Sequence, residues 1–548
     1  SATLVVDGRP YIIIGGETGN SMASCAADID RCMADALAHG YNTVLIPVSW
    51  ELIEPQKGRY DFASVDSIIS AARARNLRVV PLWFGAWKNS MSCYAPAWFK
   101  RDTATYPRAV TRSGKPLEIA SAFSPAVHEA DADAFRALLR HIAETDSDGT
   151  VIMIQIENEI GMLEDARDHS GLAQAEYDKG VPSSLMSYLK KHLSSLHPSL
   201  LNKWRDAGFR SSGSWTEVFG DDIYTDELFQ AYSYALYVER LASEARKIFP
   251  TMPLYVNAAM NSRGRQPGQY PSGGPLAHLK DMWHAGSPTI DILAPDLYDG
   301  DIASWLAAYA LADNPLFVPE IKTTPANASQ ACYAIGEHHA IGFSPFAYNL
   351  RPEADRAYQR EGNLCLSSLT PLLFRTAAKG SGKFTHAPSA GLYFTPDSTT
   401  RTIIRDGLRI RASHYFTLPW DPRATDGSVW PETGGLILQL APMDYIVAGS
   451  GIVLTFDPAD SAADSAPAAR LGEDGFLLTG SDTATPDVQT KTSAQKRVGL
   501  ASVEEVSVNP DGTLTRLRTL NGDETHQGRH VRIGVDGFRI LHVTLYSY

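Results

Sequence analysis

Long hydrophobic runs are missing from this chain. No stretch of eighteen or more consecutive apolar residues occurs, so no segment reads as a membrane-spanning helix. Basic clusters are missing too. The net charge is -13, with 49 Lys and Arg against 62 Asp and Glu, and there is no basic run or basic helix face. That argues against nucleic acid as a partner, since such binding leans on clustered cations. Cysteine is scarce: Cys25, Cys32, Cys93, Cys332 and Cys365 stand apart with no CxxC pair, and an odd count cannot pair wholly within the chain. Buried thiols are the expectation, with a Cys25–Cys32 bridge as the alternative. The chain opens on SATLVVDGRP, with neither Met nor a signal-peptide pattern. The periplasm or the exterior is the compartment expected, with the cytoplasm left open. A homo-oligomer is compatible with the sequence.

What is there is a globular composition, 44% hydrophobic and 20% charged, in 548 residues. That length calls for two or three domains. The first two-thirds alternates apolar runs with amphipathic stretches. Strands are read at Tyr11–Gly16, Thr43–Trp50, Leu77–Gly85, in TVIMIQIENE, at Pro253–Met260, Thr289–Tyr298, Pro315–Ile321 and Ala340–Asn349. Helices are read at Ala26–His39, Val65–Arg75, His128–Glu144, Asp226–Ile248, Ile302–Ala312, Ser329–His339 and Leu364–Ala378. Apolar strands alternating with helices predict an α/β fold, a (β/α)8 TIM barrel over residues 1–380. A helical insertion is placed at about 162–226. From about Gly380 the helical period fades and Gly- and Asp-rich turns separate short strands. Residues 381–548 therefore read as a mainly antiparallel, β-sandwich-like accessory domain, with a hairpin at Asn509–Gly512 and an exposed loop at Asp457–Ala468. KGSGKF, Lys379–Phe384, lacks the leading Gly and the Ser or Thr of a phosphate loop, and reads as a linker.

In a (β/α)8 barrel the reactive groups sit at strand C-terminal ends. That rule yields Glu17 and Asn20 after strand one, Trp50 after strand two, and Trp83, Trp87, Lys88 and Asn89 after strand three. Strand four ends in Glu157, Asn158 and Glu159. Later strands add Asn257, Asp296, Tyr298, Glu320, Tyr348 and Asn349. Carboxylates, amides and aromatics are the set that sugars demand: rings stack on C–H faces while Asn and Glu meet the hydroxyls. Strands four and seven face each other across an eight-stranded barrel. Glu159 and Glu320 are thus expected at the roughly 5–5.5 Å separation of a retaining glycosidase.

Three segments carry a family likeness. QIENEIG and NTVLIPVSWELIEPQKGRYDF resemble glycoside hydrolase family 35, the β-galactosidases, and FVPEIK, less specifically, resembles the strand-seven nucleophile region of the wider clan of (β/α)8 retaining enzymes. GGLILQLAPMDYIVAG in the tail resembles the C-terminal β accessory domain of a bacterial subgroup of that family. The resemblance implies Glu159 as acid/base, Glu320 as nucleophile, Asn158 on the sugar 2-hydroxyl and Tyr298 hydrogen-bonded to the nucleophile. It also implies a galactose-containing oligosaccharide or polysaccharide as partner, no cofactor and no metal. Two departures stand out. Gly85-Ala86-Trp87 replaces the family's Ala-Glu-Trp, and Pro47 stands where the family has Tyr. Glu17, Lys88 or Asn89 would have to rebuild the lost sugar contacts.

On this reading Glu320 attacks the anomeric carbon while Glu159 protonates the leaving oxygen, and water then releases the sugar with Glu159 as base. The Glu159 carboxyl is expected at a pKa of roughly 6–7. The rivals are a glycosidase of another sugar, a metal-dependent sugar isomerase and a non-catalytic sugar-binding protein. An isomerase needs several His, Asp and Glu ligands at strand ends, and these ends are poor in His.

Overall fold

The structure is a computed structural model, and it describes residues 2–261, 263–376, 383–460, 470–471, 477–478 and 496–548. Eight parallel strands close into a barrel in chain order. They are β1 (Ile13–Glu17), β2 (Thr43–Ser49), β3 (Arg78–Lys88), β4 (Ile154–Asn158), β5 (Leu254–Ala259), β6 (Ile292–Leu297), β7 (Phe317–Ile321) and β8 (Gly342–Pro345). Nearly every strand residue is buried, because the barrel interior takes one face and the helices the other. Ile13, Leu45, Val80, Leu82, Tyr255, Ala294 and Phe317 share the core that results.

The helices that follow the strands are α1 (Ala26–Ala38), α2 (Ala63–Arg73), α3 (Pro125–Thr145), α4 (Ile223–Ile248), α5 (Lys280–Gly286), α6 (Ile302–Tyr309), α7 (Asn327–His338) and α8 (Glu353–Leu373). Ser124 caps α3 by accepting from Val127 N, and Pro125 occupies its first turn, where a missing N–H costs nothing. Asp222 caps α4 through Tyr224 N and Thr225 N. The insertion folds as short helices at Gly171–Tyr177, Ser183–Lys191, Pro198–Asp206 and Trp215–Phe219.

Three features differ from the periodicity reading. Helix α5 was not among the expected helices; at seven residues it is too short for an amphipathic pattern to stand out. Strand β8 ends at Pro345, because Ala347 adopts φ +51° and turns the chain into a 3-10 segment at Tyr348–Leu350. Helix α8 begins at Glu353, eleven residues ahead of the Leu364 expected, its first turns being charged and less clearly periodic.

The chain divides into compact units Ser1–Gly391 and Leu392–Tyr548, a boundary slightly later than residue 380. A short antiparallel pair, Phe374–Thr376 with Phe384–His386, lies before that boundary. Beyond the barrel the order of one sheet is 389–394, 433–441, 444–450, 539–547, 498–508, 514–519, and of the other 400–405, 408–414, 452–458, 531–533. The long run DYIVAGSGIVLTF is two strands in different sheets, broken at Gly451, whose φ of +67° only glycine adopts freely. The Asn509–Gly512 turn joins Val498–Val508 to Leu514–Thr519 as an antiparallel hairpin. Residues 377–378, the end of the helix reading Leu364–Ala378, 379–382, within the linker reading, and 461–468, within the loop reading, lie outside the described residues. All five cysteines are free; Cys32, Cys332 and Cys365 are buried, whereas Cys25 is exposed and Cys93 half-buried.

Candidate active site

Strand β4 ends in an unusual backbone. Glu157 and Glu159 both adopt left-handed φ, +57° and +46°, on either side of Asn158. Such conformations cost free energy for residues other than glycine, so neighbours must hold them. Gln155 Nε2 donates to Glu157 O at 2.8 Å, and Asn257 Oδ1 on β5 accepts from Glu159 N at 3.0 Å. Asn89 N donates to Asn158 O at 3.3 Å, and Lys88 Nζ donates to Asn158 Oδ1 at 2.8 Å. The Glu159 side chain is thereby directed into the barrel mouth.

Across the mouth β7 presents Glu320, in register with Asp296 on β6. The Tyr298 hydroxyl donates to Glu320 Oε1. Glu159, Asp296 and Glu320 each bring an oxygen within 4.8 Å of the others, and all three are buried. Asn257 Nδ2 donates to Asp296 Oδ2 at 2.6 Å, fixing the third acid. Glu17, buried at the end of β1, adds a further carboxyl whose strongest charged influence is Glu320. Several buried polar atoms here make no hydrogen bond within the protein: Glu17 Oε1, Asn158 Nδ2, Glu159 Oε2, Asp296 Oδ1 and Glu320 Oε2. They are the atoms a polyhydroxylated ligand would satisfy.

Burial, followed by the charge of Glu320, pushes the Glu159 carboxyl up to about 7; Lys88 opposes that rise. Burial also holds Glu17 and Asp296 well above the ordinary carboxylate range, with Glu320 the main charged neighbour of each. Lys88 is buried, which opposes its charge, yet Glu320, Glu159, Glu17 and Asp296 together raise its ammonium above the usual value. The oxygen donors of Glu159, Asp296 and Glu320 are of the kind a hard cation takes. Here the ammonium of Lys88 supplies positive charge to the same cluster.

The structure thus brings Glu17, Lys88, Asn158, Glu159, Tyr298 and Glu320 together, as expected. Asn89 is exposed at the rim, in a left-handed turn. Asn20 is half-buried beyond β1, with Oδ1 making no hydrogen bond within the protein. Three candidate contacts are corrected. Tyr348 is fully buried, donates to Cys32 O at 2.7 Å and packs on His39 and Tyr41, because the turn after β8 swings it behind the barrel wall. Trp50 is fully buried too; it donates to Glu54 Oε2 and packs on Trp98 and Phe99. The ring of Trp87 is buried edge-on against Tyr234 and Tyr237, so it offers no open face. Trp83 is likewise core, its Nε1 bonded to Asp131 Oδ1. The residue missed is Asp131 itself, an acid within the apolar face of α3, whose burial among Leu138, Phe135 and Val127 was the available signal.

The arrangement is that of an eight-stranded parallel barrel with acids from the ends of β4 and β7 brought together at its mouth. The family likeness is borne out over the first part of the chain. The family model described as glycosyl hydrolases family 35 matches residues 3–197, which include Glu159 and stop short of Glu320. A model described as a domain of unknown function (DUF5597) matches residues 365–468 and 459–532. A curated β-galactosidase from Xanthomonas manihotis is 32% identical over 192 residues, 32% of this chain and 29% of that protein's length. Among solved structures, a β-galactosidase from Rahnella sp. R3 aligns at 16% identity and a TM-score of 0.47, covering 69% of this chain and 59% of its own. One from Bacillus circulans sp. alkalophilus aligns at 16% identity and a TM-score of 0.46, covering 66% and 57%.

Proposed function

We propose that the chain is a retaining β-galactosidase that removes terminal β-D-galactosyl residues from oligosaccharides or plant-wall side chains. The observation that carries this reading is that one oxygen of Glu159 lies within 4.8 Å of one oxygen of Glu320. That spacing suits a direct attack by one carboxylate, whereas an inverting pair stands about 6.5–9.5 Å apart to admit water between them. Glu320, its Oε1 held by Tyr298, presents Oε2 to the anomeric carbon. Glu159, still a proton donor near neutral pH, protonates the departing oxygen. A covalent glycosyl-enzyme results, and water attacks it as Glu159 takes the proton back. Asn158, anchored through Lys88, turns its free Nδ2 toward the sugar 2-hydroxyl. The name of the curated relative supports galactose. A second reading, a retaining β-glycosidase of another sugar such as a glucosidase or arabinosidase, is favoured by Ala86 standing where the family places a sugar-binding Glu.

A panel of aryl glycosides tests both. Wild type should prefer the β-galactoside. Glu159→Ala with azide should yield the β-glycosyl azide, and Glu320→Ala the α-glycosyl azide. Preference for another sugar selects the second reading, and full activity of Glu320→Ala rejects both.

A further inference from the structure

Glu157 stands beside this machinery without a part in it. Strand β3 pairs with β4 at Trp83↔Ile156 and again at Lys88↔Asn158, so four residues of β3 oppose one residue of β4 between those pairs. That one residue is Glu157. The excess forms a bulge over Phe84, Gly85, Ala86 and Trp87, and a bulge leaves backbone N–H groups off the ladder. The Glu157 carboxyl fills the gap: Oε2 accepts from Trp87 N at 2.8 Å. Gly85 makes room, because a Cβ there would lie 2.4 Å from Trp83 Nε1, 2.6 Å from Asp131 Oδ1 and 2.7 Å from Glu157 Oε1. Gly85-Ala86-Trp87, the family departure noted in the sequence, is this bulge.

We propose that Glu157 is a positioning residue of the active site, its carboxyl group plugging the bulge of β3 and setting the register in which Lys88 meets Asn158. The inference rests on the functional reading above, since Asn158 and Glu159 are the groups positioned. Hydrogen-bond accounting assigns a proton to Glu157. Asp131 Oδ1 already accepts from Trp83 Nε1 at 2.9 Å and its Oδ2 from Tyr237 OH at 2.6 Å. With both oxygens accepting, Asp131 has no hydrogen to give, whereas the neighbouring Glu157 Oε1, beside it at Gly85, accepts from no donor in the protein. The proton is therefore assigned to Glu157 Oε1, the oxygen of the pair that no donor faces. Burial of both groups and the nearby Asp131 charge hold Glu157 well above the ordinary carboxylate range, as such a neutral acid requires.

The full chain carrying Glu157→Gln, Glu157→Met or Glu157→Ala tests this. Gln keeps a neutral donor and an acceptor at the same reach, so kcat should stay within about threefold of wild type. Met keeps the volume where Ala would leave a cavity, but it leaves Trp87 N unpaired. Its kcat should fall about 100-fold with KM little changed, the cost of a strand end misplaced by an ångström. Azide should not restore it, in contrast to Glu159→Ala and Glu320→Ala. The proposal is overturned if folded Glu157→Met keeps kcat within threefold, or if folded Glu157→Gln loses as much as Met. The infrared difference spectrum of wild type minus Glu157→Gln at pH 8 should show a protonated carboxyl, whatever the substrate; a carboxylate band there overturns the assignment. If Glu320→Ala stays active while that band is present, the functional reading fails and the proton assignment survives.

Discussion

Lys88 and Asn158 meet across the seam between β3 and β4, Nζ to Oδ1 at 2.8 Å, as backbone partners whose side chains are also joined. Through that bond a cation on one strand orients the amide that precedes the acid/base on the next. Lys88→Met should lower kcat/KM about 100-fold, or ~2.7 kcal/mol of transition-state stabilisation. Lys88 also holds the Glu159 carboxyl down. Its removal should therefore move the basic limb of the pH profile upward, and kinetics of the purified variant across pH check both effects.

Glu159 sets that basic limb. Its carboxyl is raised to about 7, so the protonated fraction of the free enzyme falls above that value. Wild-type kcat/KM should bend near pH 7 and then drop tenfold per pH unit. Azide-rescued Glu159→Ala, which has no proton donor at this position, should show no such bend.

The same burial that prepares the site weighs on stability. Glu159, Glu17 and Asp296 are all raised in the folded state. Between the ordinary carboxylate pKa and the raised value, the folded chain holds protons that the unfolded chain has released, so stability falls as pH rises through that window. For Glu159 the window runs from 4.5 to about 7, worth about 3 kcal/mol. The melting temperature should decline from pH 5 to pH 8, and Glu159→Gln should flatten the decline.

Tyr348 tests the placement of β8. With its hydroxyl on Cys32 O behind the barrel wall, Tyr348→Phe should leave kcat and KM within twofold and cost about 1 kcal/mol in denaturant unfolding. A tenfold rise in KM would put the ring back in the sugar site.

The barrel was legible because its strands are apolar on both faces and its acids fall where those runs stop. That rule placed Glu159, Glu320, Tyr298 and Lys88 among the candidates, and the family resemblance supplied the roles of the first three. The rule failed where a strand ended early. Tyr348 lies beyond the left-handed Ala347, and periodicity carries no trace of that turn. It failed also where an aromatic at a strand end faces outward, as Trp50 does. Parity with Gln155 allows Glu157 to point into the barrel, but its carboxyl lies on the helix side, beside Asp131 of α3, filling a bulge. A bulge arises from the pairing of two strands and is written in neither one by itself.

The central claim is that Glu320, among four neighbouring carboxyl groups, is the one that attacks carbon. Incubating the full chain with a 2-deoxy-2-fluoro-β-galactosyl fluoride and mapping the labelled peptide tests it directly. The label should lie on Glu320, within FVPEIK, in one-to-one stoichiometry and with loss of activity. A label on Glu17, Glu159 or Asp296 would contradict the account, as would turnover of the reagent with inversion at the anomeric carbon.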